Sequence, residues 1–546
     1  MPACPSPQHW FLDSRERGNP HARLYAGRDD GSCWTAGNQV TPLVDGSAYF
    51  ARLCQELRGC AAGDLVYFAD WRGDPDQHLD GPGSAVMVEL ARAESAGARV
   101  FGLVWRSHLD RLRFSEQQNR TLAEALQALN ANVLLDMRVR RGGSHHQKFV
   151  VVRHPQDPAR DVAFVGGIDL GHSRNDDRDH GGDPQTQPMP TSYGPTPPWH
   201  DAMVEIHGPA VVDVETCFRE RWDDPAAPQH NHPWLWALDR LRDLRSRAAT
   251  LPDPVPAPSP AGRDCVQLLR TYPSQSPAYP FAPDGERTVA RGYAKALRRA
   301  RRVVHVEDQF LWSATVAQVF ADTLRRETGL HLVAVLPRYP DSEGGLQEPA
   351  KDAAHTEALQ LLLDAGGDRV HLFDLENAAG TPIYVHAKVC VIDDTWAAVG
   401  SANLNRRSWT HDSELTAAVL TLPPDAGADP EHDAEPHTPE PQAESDDGVF
   451  ARRLRVQLWA EHLGRRPDQT EDLADPVAAL AILHAHADRL DAWHRDGGTG
   501  ERPPGHLRAH RVPTVHPAVR RAVEPVVRTV IDPDGRPFRW RRLERW

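Results

Sequence analysis

Cysteine is scarce in this chain of 546 residues: there are seven, Cys4, Cys33, Cys54, Cys60, Cys217, Cys265 and Cys390. They are scattered and odd in number, which argues against a disulfide framework and for a reducing compartment. Cys390 lies in an apolar stretch and reads as a small core residue. No apolar run approaches the ~20 residues of a helical membrane span. Met1 to Pro20 is polar and carries no apolar signal segment, so a cytoplasmic location is expected. Positive charge is in deficit: 62 Lys and Arg against 76 Asp and Glu leave a net charge of -14. A general nucleic-acid binder is usually basic, so no nucleic-acid partner is expected. Global attraction to an anionic membrane is absent too, although net charge says nothing of a local basic patch.

What is present is one pattern, twice. Residues 384–393 read Tyr-Val-His-Ala-Lys-Val-Cys-Val-Ile-Asp, and 399–405 read Val-Gly-Ser-Ala-Asn-Leu-Asn. Residues 144–153 read Ser-His-His-Gln-Lys-Phe-Val-Val-Val-Arg, and 164–170 read Phe-Val-Gly-Gly-Ile-Asp-Leu. Each is His-x-Lys at the head of an apolar strand, followed by a second apolar strand ending in two small residues. In a strand, residues two apart share a face, so His386 projects with Lys388, and His146 with Lys148. The runs behind them are continuously apolar, as in strands buried on both faces. Gly400-Ser401 and Gly166-Gly167 would let a ligand approach the backbone. Imidazole serves as nucleophile or proton donor near neutral pH. Lysine suits phosphate oxygens. Two such pairs facing each other would clamp a phosphodiester, one His attacking and the other protonating the leaving oxygen. No metal is needed by this logic, because two lysines already neutralise the phosphate, and no cofactor is implied.

Taken in order, the chain alternates strands and helices, which predicts an α/β fold. Residues 1–35 read as an irregular lead-in. A first half, 36–250, holds strands at Asp64–Trp71, Val100–Trp105 and Val133–Leu135 ahead of His146. It includes a polar loop at 173–198, placed to line or cover the site, and a charged helix at Leu235–Ala249. A Pro-rich linker, 251–262, joins the halves. The second half, 263–465, repeats the order with strands at Val303–Leu311, Leu330–Leu336 and Val370–Phe373 ahead of His386. Its residues 423–447 are acidic and Pro-rich and read as a disordered insertion. Residues 466–546 form an extension whose role the sequence does not reveal. The 240 positions between His146 and His386 mark a two-fold duplication, with two similar α/β halves packed around one shared site.

His386-x-Lys388-x4-Asp393 with Gly400-Ser401-x-Asn403 resembles the HKD motif of the phospholipase D superfamily. The first copy resembles the N-terminal HKD motif, with Arg153 where the family has Asp. Trp199-His-Asp201, Gly208-Pro-Ala210, Phe218–Trp222, Val306–Gln309, Asp412–Leu415 and Phe450–Gly464 resemble further segments of eukaryotic-type members, so the resemblance spans roughly residues 35 to 465. It implies a phospholipase D-type phosphodiesterase acting on a phospholipid such as phosphatidylcholine, met at a membrane surface by peripheral contact. In the family's mechanism His146 forms a phosphohistidine, and His386 acts as general acid, then as base toward water. An alcohol in place of water gives transphosphatidylation. The alternatives are another HKD phosphodiesterase (a cardiolipin synthase-like phosphatidyltransferase or a nuclease) or a catalytically weak lipid-binding protein, which only Arg153 favours. Oligomeric state has no signal in the sequence.

Around the four motif residues stand supporting candidates. The resemblance implies that Asp393 supports the site by charge pairing or hydrogen bonding. Arg153 cannot do this in the same way in the first half, where either another acid, such as Asp161, substitutes or the role is dispensed with. Asp201 and Glu414 are candidates to orient the two imidazoles, as a carboxylate does in a triad. Asn403 and Ser401, with Asp169 and Gly167 at the matching places, are candidates to meet the phosphate. Asp169 would repel it unless bound to a Lys or His. Glu307 and Gln309 are candidates to hydrogen-bond within the site. His145, on the opposite strand face, reads as structural. His484 and His486 read as part of a solvated helix, since residues two apart on a helix do not share a face. The basic, aromatic stretch 536–546 reads as a tail packed on the body, with contact to anionic lipid as the competing reading.

Overall fold

The computed structural model describes residues 6–28, 30–108, 116–129, 131–228, 248–341, 347–423, 448–537 and 541. The helix expected at Leu235–Ala249 and the insertion expected at 423–447 fall almost wholly outside them, as does most of the 536–546 tail. The first half contains β1 (Thr35–Val44), β2 (Leu65–Asp70), β3 (Arg99–Trp105), β4 (Asn132–Asp136), β5 (Phe149–Arg153), β6 (Val162–Gly166), β7 (Trp199–His200) and β8 (Ala202–His207). The second contains β9 (Asp264–Tyr272), β10 (Glu286–Arg287), β11 (Val303–Asp308), β12 (His331–Val335), β13 (Val370–Leu375), β14 (Tyr384–Val385), β15 (Lys388–Ile392), β16 (Trp396–Gly400), β17 (Glu414–Thr421) and β18 (Leu507–Ala509).

One sheet runs through both halves in the order β18-β13-β12-β11-β15-β16-β17-β9-β1-β8-β6-β5-β2-β3-β4, with β10 beside β9. The order is mirrored about the β9–β1 seam: β17, β16, β15, β11, β12 and β13 answer β8, β6, β5, β2, β3 and β4. In each half two parallel pairs, β2–β3–β4 and β11–β12–β13, are joined to an antiparallel meander. Parallel neighbours need crossovers, and helices Val86–Ser95, Glu116–Ala128, Ala314–Arg326 and Gln347–Gly366 supply them. This is an α/β fold with two halves of one topology.

β5 (Phe-Val-Val-Val-Arg) and β15 (Lys-Val-Cys-Val-Ile) are buried along their whole length. Each is central in its half, covered on both faces, so β-branched residues serve at every position. Phe149, Val151 and Val204 of the first half share one core with Val389, Val391 and Leu415 of the second. His146 to Lys148 lead into β5, which begins at Phe149, and His386 precedes β15, whose first residue is Lys388.

The lead-in is more ordered than its composition suggests. It carries two short helices, and Phe11, Leu12 and Arg17 are buried, with Arg17 paired to Glu286 at 2.9 Å. The C-terminal extension adds β18 to the edge of β13. Its helix Leu480–Arg495 is not a solvated one: His486 is buried, and the exposed His484 hydrogen-bonds His371 at 2.7 Å. Leu483, Ala487 and Leu490 draw that face onto the sheet. Among the described residues, no helix is long and apolar enough to cross a membrane.

Candidate active site

Two seams bring the tripeptides together. β14 pairs in parallel with β7, so the backbone N–H of His386 donates to the His200 carbonyl at 2.7 Å. The N–H of His146 donates to the Ser413 carbonyl at 2.9 Å. Each histidine is thereby seated on a segment of the opposite half. The side chains follow: His146 Nδ1 lies 2.9 Å from Glu414 Oε2, and His386 Nδ1 lies 2.5 Å from Asp201 Oδ2. Both orienting candidates are where the triad logic needs them, but crosswise between halves. With Nδ1–H donated to a carboxylate, Nε2 of each ring keeps its lone pair for chemistry.

Lys148 Nζ donates to the His146 carbonyl at 2.8 Å, and Lys388 Nζ donates to the His386 carbonyl. Both amines are buried, and Lys388 is pushed down to about 8 by that burial and by Lys148, with Asp201 acting against the shift. His386 is held neutral, well below the usual imidazole range, first by burial and then by Lys388 and Arg174. Burial raises the Asp201 carboxyl. His146 is the more open of the pair, its side chain 14% exposed against 7% for His386. The ring of Trp71 stands edge-on to His146, with centroids 6.0 Å apart, and Trp199 lies 5.0 Å from His386.

The small residues at the ends of β6 and β16 make room beside the carboxylates. A Cβ on Gly166 would stand 2.4 Å from the Ala202 carbonyl, and one on Gly400 would stand 2.5 Å from the Leu415 carbonyl. Glycine lets β8 and β17, which adjoin Asp201 and begin at Glu414, come close. Gly167 abuts Asp201 itself: a Cβ there would lie 2.2 Å from Asp201 Oδ1. The matching Ser401 donates its hydroxyl to Glu414 Oε2 at 2.5 Å.

Asp169 has the lysine partner that the sequence reading required of it. It lies 3.5 Å from Lys148 and 3.1 Å from Arg174, and these cations outweigh burial and hold it well below the usual carboxylate range. Its neighbour Asp70 is raised, by burial and by the Asp169 charge. Asn403 is buried, with Oδ1 unpartnered among the described residues. Glu307 points away from the tripeptides and receives His200 at 2.7 Å, His462 at 2.7 Å and His305 at 3.0 Å. Gln309 donates to the Tyr384 hydroxyl at 2.6 Å.

Asp393 stands at the far end of β15 from His386. Its carboxylate accepts the N–H groups of Arg301, Arg302 and Val303 at 2.7 to 2.9 Å, fastening the start of β11. Asp393 and Asp394 both have left-handed φ, +52° and +54°, as a tight hairpin between β15 and β16 demands. The first half uses a longer connection here, and Arg153 turns into a buried ion cluster with Asp161 and Glu215. Asp161 is thus the partner of Arg153, not a substitute acid at the site. The departure at this position lies far from His146. His145 is buried against Gln147, a structural residue as expected.

Four residues of the site escaped the reading of the sequence. Asp70 and Asp308 end β2 and β11, and each accepts, at 2.7 Å, the N–H that follows Asp169 or Asn403. Aligning the two copies of that strand would have exposed the pair. Trp71 follows Asp70, with Lys148 Nζ 5.6 Å from its ring. Arg174, from the 173–198 loop, lies 4.1 Å from the Trp199 ring and had no local signal.

Behind His386 lies a second polar cluster. Ligand atoms of Asp45, His180, His200 and Glu461 all lie within 4.8 Å of one another, and all four residues are buried. Asp45 Oδ2 makes no hydrogen bond among the described residues, while Glu461 Oε1 lies 3.2 Å from His200 Nδ1 and 3.5 Å from His180 Nε2. Two carboxylates and two imidazoles so placed could hold a divalent cation. From the sequence no metal was expected, and this cluster was not foreseen.

Comparisons with known proteins agree with this geometry at the family level. A family model described as Phospholipase D matches residues 118–335 and 366–513. One described as Cardiolipin synthase, PLD-like domain matches residues 294–421. Phospholipase D alpha 2 of Oryza sativa subsp. japonica is 26% identical, over 86% of this chain and 71% of its own length. Phospholipase D alpha 1 of Arabidopsis thaliana is 25% identical, over 85% and 70%. Among solved structures, phosphatidylserine synthase of Haemophilus influenzae Rd KW20 aligns over 84% of this chain and 94% of its own, with a TM-score of 0.49 and 13% identity.

Proposed function

The chain belongs to the phospholipase D superfamily and is a phosphodiesterase, and we propose that it cleaves the terminal phosphodiester of a phospholipid such as phosphatidylcholine through a phosphohistidine. The observation that carries the reading is the crossed pair of imidazole–carboxylate contacts beside two buried lysines. The alignment of most of the chain with phospholipases D supports the lipid substrate.

In this mechanism His146 Nε2 attacks phosphorus, and the bond to the head-group oxygen breaks. Lys148, Lys388 and the Asn403 amide receive the phosphoryl oxygens. His386 donates its proton to the leaving alcohol, then takes one from the water that cleaves the P–N bond, releasing phosphatidic acid. His386 is neutral without substrate because burial, and then the cations around it, disfavour its charged form. A bound phosphodiester anion offsets Lys388, Lys148 and Arg174, so substrate itself raises the pKa of His386 and readies it as the acid. The match to the cardiolipin synthase description favours a second reading, transfer of the phosphatidyl group to an alcohol from the same intermediate.

The test uses purified protein on phosphatidylcholine vesicles with ethanol, with and without EDTA, beside His146→Ala and His386→Ala. Choline and phosphatidylethanol from the wild type, lost in both variants, together with a phosphoryl group trapped on His146 in His386→Ala, is the expected result. Activity confined to non-lipid phosphodiesters would overturn the substrate assignment, and a group trapped instead on His386 in His146→Ala would reverse the roles.

A further inference from the structure

We propose that the surface formed by residues 515–536 together with Tyr339 docks on an anionic phospholipid bilayer, an inference that rests on the lipid reading above. Helix Pro517–Val526 and the turn Val527–Ile531 are amphipathic. Val523 and Ile531 are buried against Trp312, Ala350, Ala353 and Ala354. The apolar stripe runs on past that contact: Val519 is 41% exposed and Val530 51% exposed. Arg520, Arg521 and Arg528 stand exposed along the same stretch. Arg528 pairs with Glu524 at 2.6 Å, while Arg520 and Arg521 have no carboxylate partner among the described residues. In a chain of net charge -14 this is a local exception, with cations beside bare valines. Apolar groups that enter the acyl boundary, beside arginines that reach phosphates, suit an anionic bilayer.

Its place in the fold connects it to the chemistry. The Asp532 carboxylate accepts the N–H of Arg407 at 2.9 Å, and Gly535 N–H donates to the Thr410 hydroxyl at 2.9 Å. These contacts fall on the short helix Arg406–Thr410, between Asn403 and Glu414. Arg140, six residues before His146, donates to the Gly535 carbonyl at 2.9 Å. The segment therefore borders the catalytic loops of both halves. Trp312 follows Asp308 by four residues, and Lys351 lies 5.9 Å from its ring and pairs with Asp341 at 2.5 Å. Tyr339, 44% exposed, gives its carbonyl to the Tyr193 hydroxyl, and the Tyr193 ring lies 5.3 Å from that of Tyr384. The segment that carries Val519, Val530, Arg520 and Arg521 is thus fastened through Asp532 and Gly535 to the stretches that lead to His146 and Glu414. Docking there would bring phosphodiesters toward the two histidines.

The full-length chain is sedimented with vesicles of phosphatidylcholine alone and of phosphatidylcholine with phosphatidylglycerol. The same preparations are assayed on vesicles and on monomeric dibutyryl phosphatidylcholine. The variants are Arg520→Glu with Arg521→Glu, and Val519→Asp with Val530→Asp. All four positions are exposed, and melting curves are expected to match the wild type. Binding should favour the anionic vesicles and fall at least about tenfold in each variant, at roughly fivefold per charge. Vesicle turnover should fall with it while turnover of the monomeric lipid stays. Wild-type binding that ignores phosphatidylglycerol, or unchanged binding in either variant, would overturn the docking surface. Equal loss of DNA binding in the arginine variant with full vesicle binding in the valine variant would show a general polyanion site and overturn it too. A wild type that binds anionic vesicles but cleaves neither lipid would sink the proposed substrate and leave the surface standing.

Discussion

His146 and His386 each hold Nδ1 against a carboxylate that the other half supplies. Removing the negative charge while keeping the shape should therefore unseat the imidazole of the opposite half. Asp201→Asn and Glu414→Gln are each expected to lower kcat by ~100- to 10,000-fold with little change in KM, as loss of an orienting carboxylate does in a triad. Steady-state kinetics beside melting curves checks this, and an unchanged kcat would remove that residue from the mechanism. Lys388 makes a prediction about pH. Its ammonium is depressed to about 8, so phosphate binding should weaken as pH climbs through that value, seen as a rising KM. The stability term runs the other way. Between about 8 and the ordinary lysine range the unfolded chain binds the proton and the native one does not, so this residue makes the fold more stable as pH rises. An alkaline loss of activity should hence precede, not follow, unfolding. Neither effect belongs to the order of residues, for His-x-Lys announces chemistry but not burial.

Among elements, the two His-x-Lys strands show how one device is built by different means. β15 ends in a tight left-handed turn in which Asp393 gathers three N–H groups at the start of β11. β5 ends in a longer loop, and Arg153 is neutralised by Asp161 and Glu215. Asp393→Ala leaves these N–H groups without their acceptor and should cost ~1–3 kcal/mol of stability. Because the residue stands at the far end of the strand, kcat of the folded fraction should hold; denaturant unfolding beside kinetics decides it. The strands ahead of each His-x-Lys were legible from apolar runs, and β2, β3, β4, β12 and β13 lie within a residue or two of the reading. β8, β9, β17 and the helices Ala314–Arg326 and Gln347–Gly366 were not read. Nor were the lead-in and the C-terminal extension. Their order comes from contacts with distant strands, as Arg17 shows with Glu286 and Leu507–Ala509 with β13.

For the whole molecule, the halves are partners in one sheet and one core rather than neighbours. The core that holds Val151 and Val204 also holds Val391 and Leu415. A chain cut within 251–262 should thus give two pieces that fail to fold alone. Co-expressed, they should associate and regain activity, because each carries the carboxylate the other lacks. Pull-down and turnover of the co-expressed pieces check this; a first piece that is soluble and active alone would refute it.

The sequence by itself determined the duplication, the four motif residues, the family resemblance and the α/β class. These are written in periodicity and short spacing, which local physics reads directly. It also offered Asp201 and Glu414 as partners for two imidazoles, but not which served which. Only the tertiary structure decided that the pairing is crosswise, that Asp393 fastens a strand, that Glu307 serves a histidine cluster, and that Gly166, Gly167 and Gly400 make room for carboxylates. The physical reason is distance along the chain. Glu414 is 268 residues from His146, and Asp201 is 185 from His386. A hydrogen bond over such a span exists only once the mirrored sheet has closed on its seam.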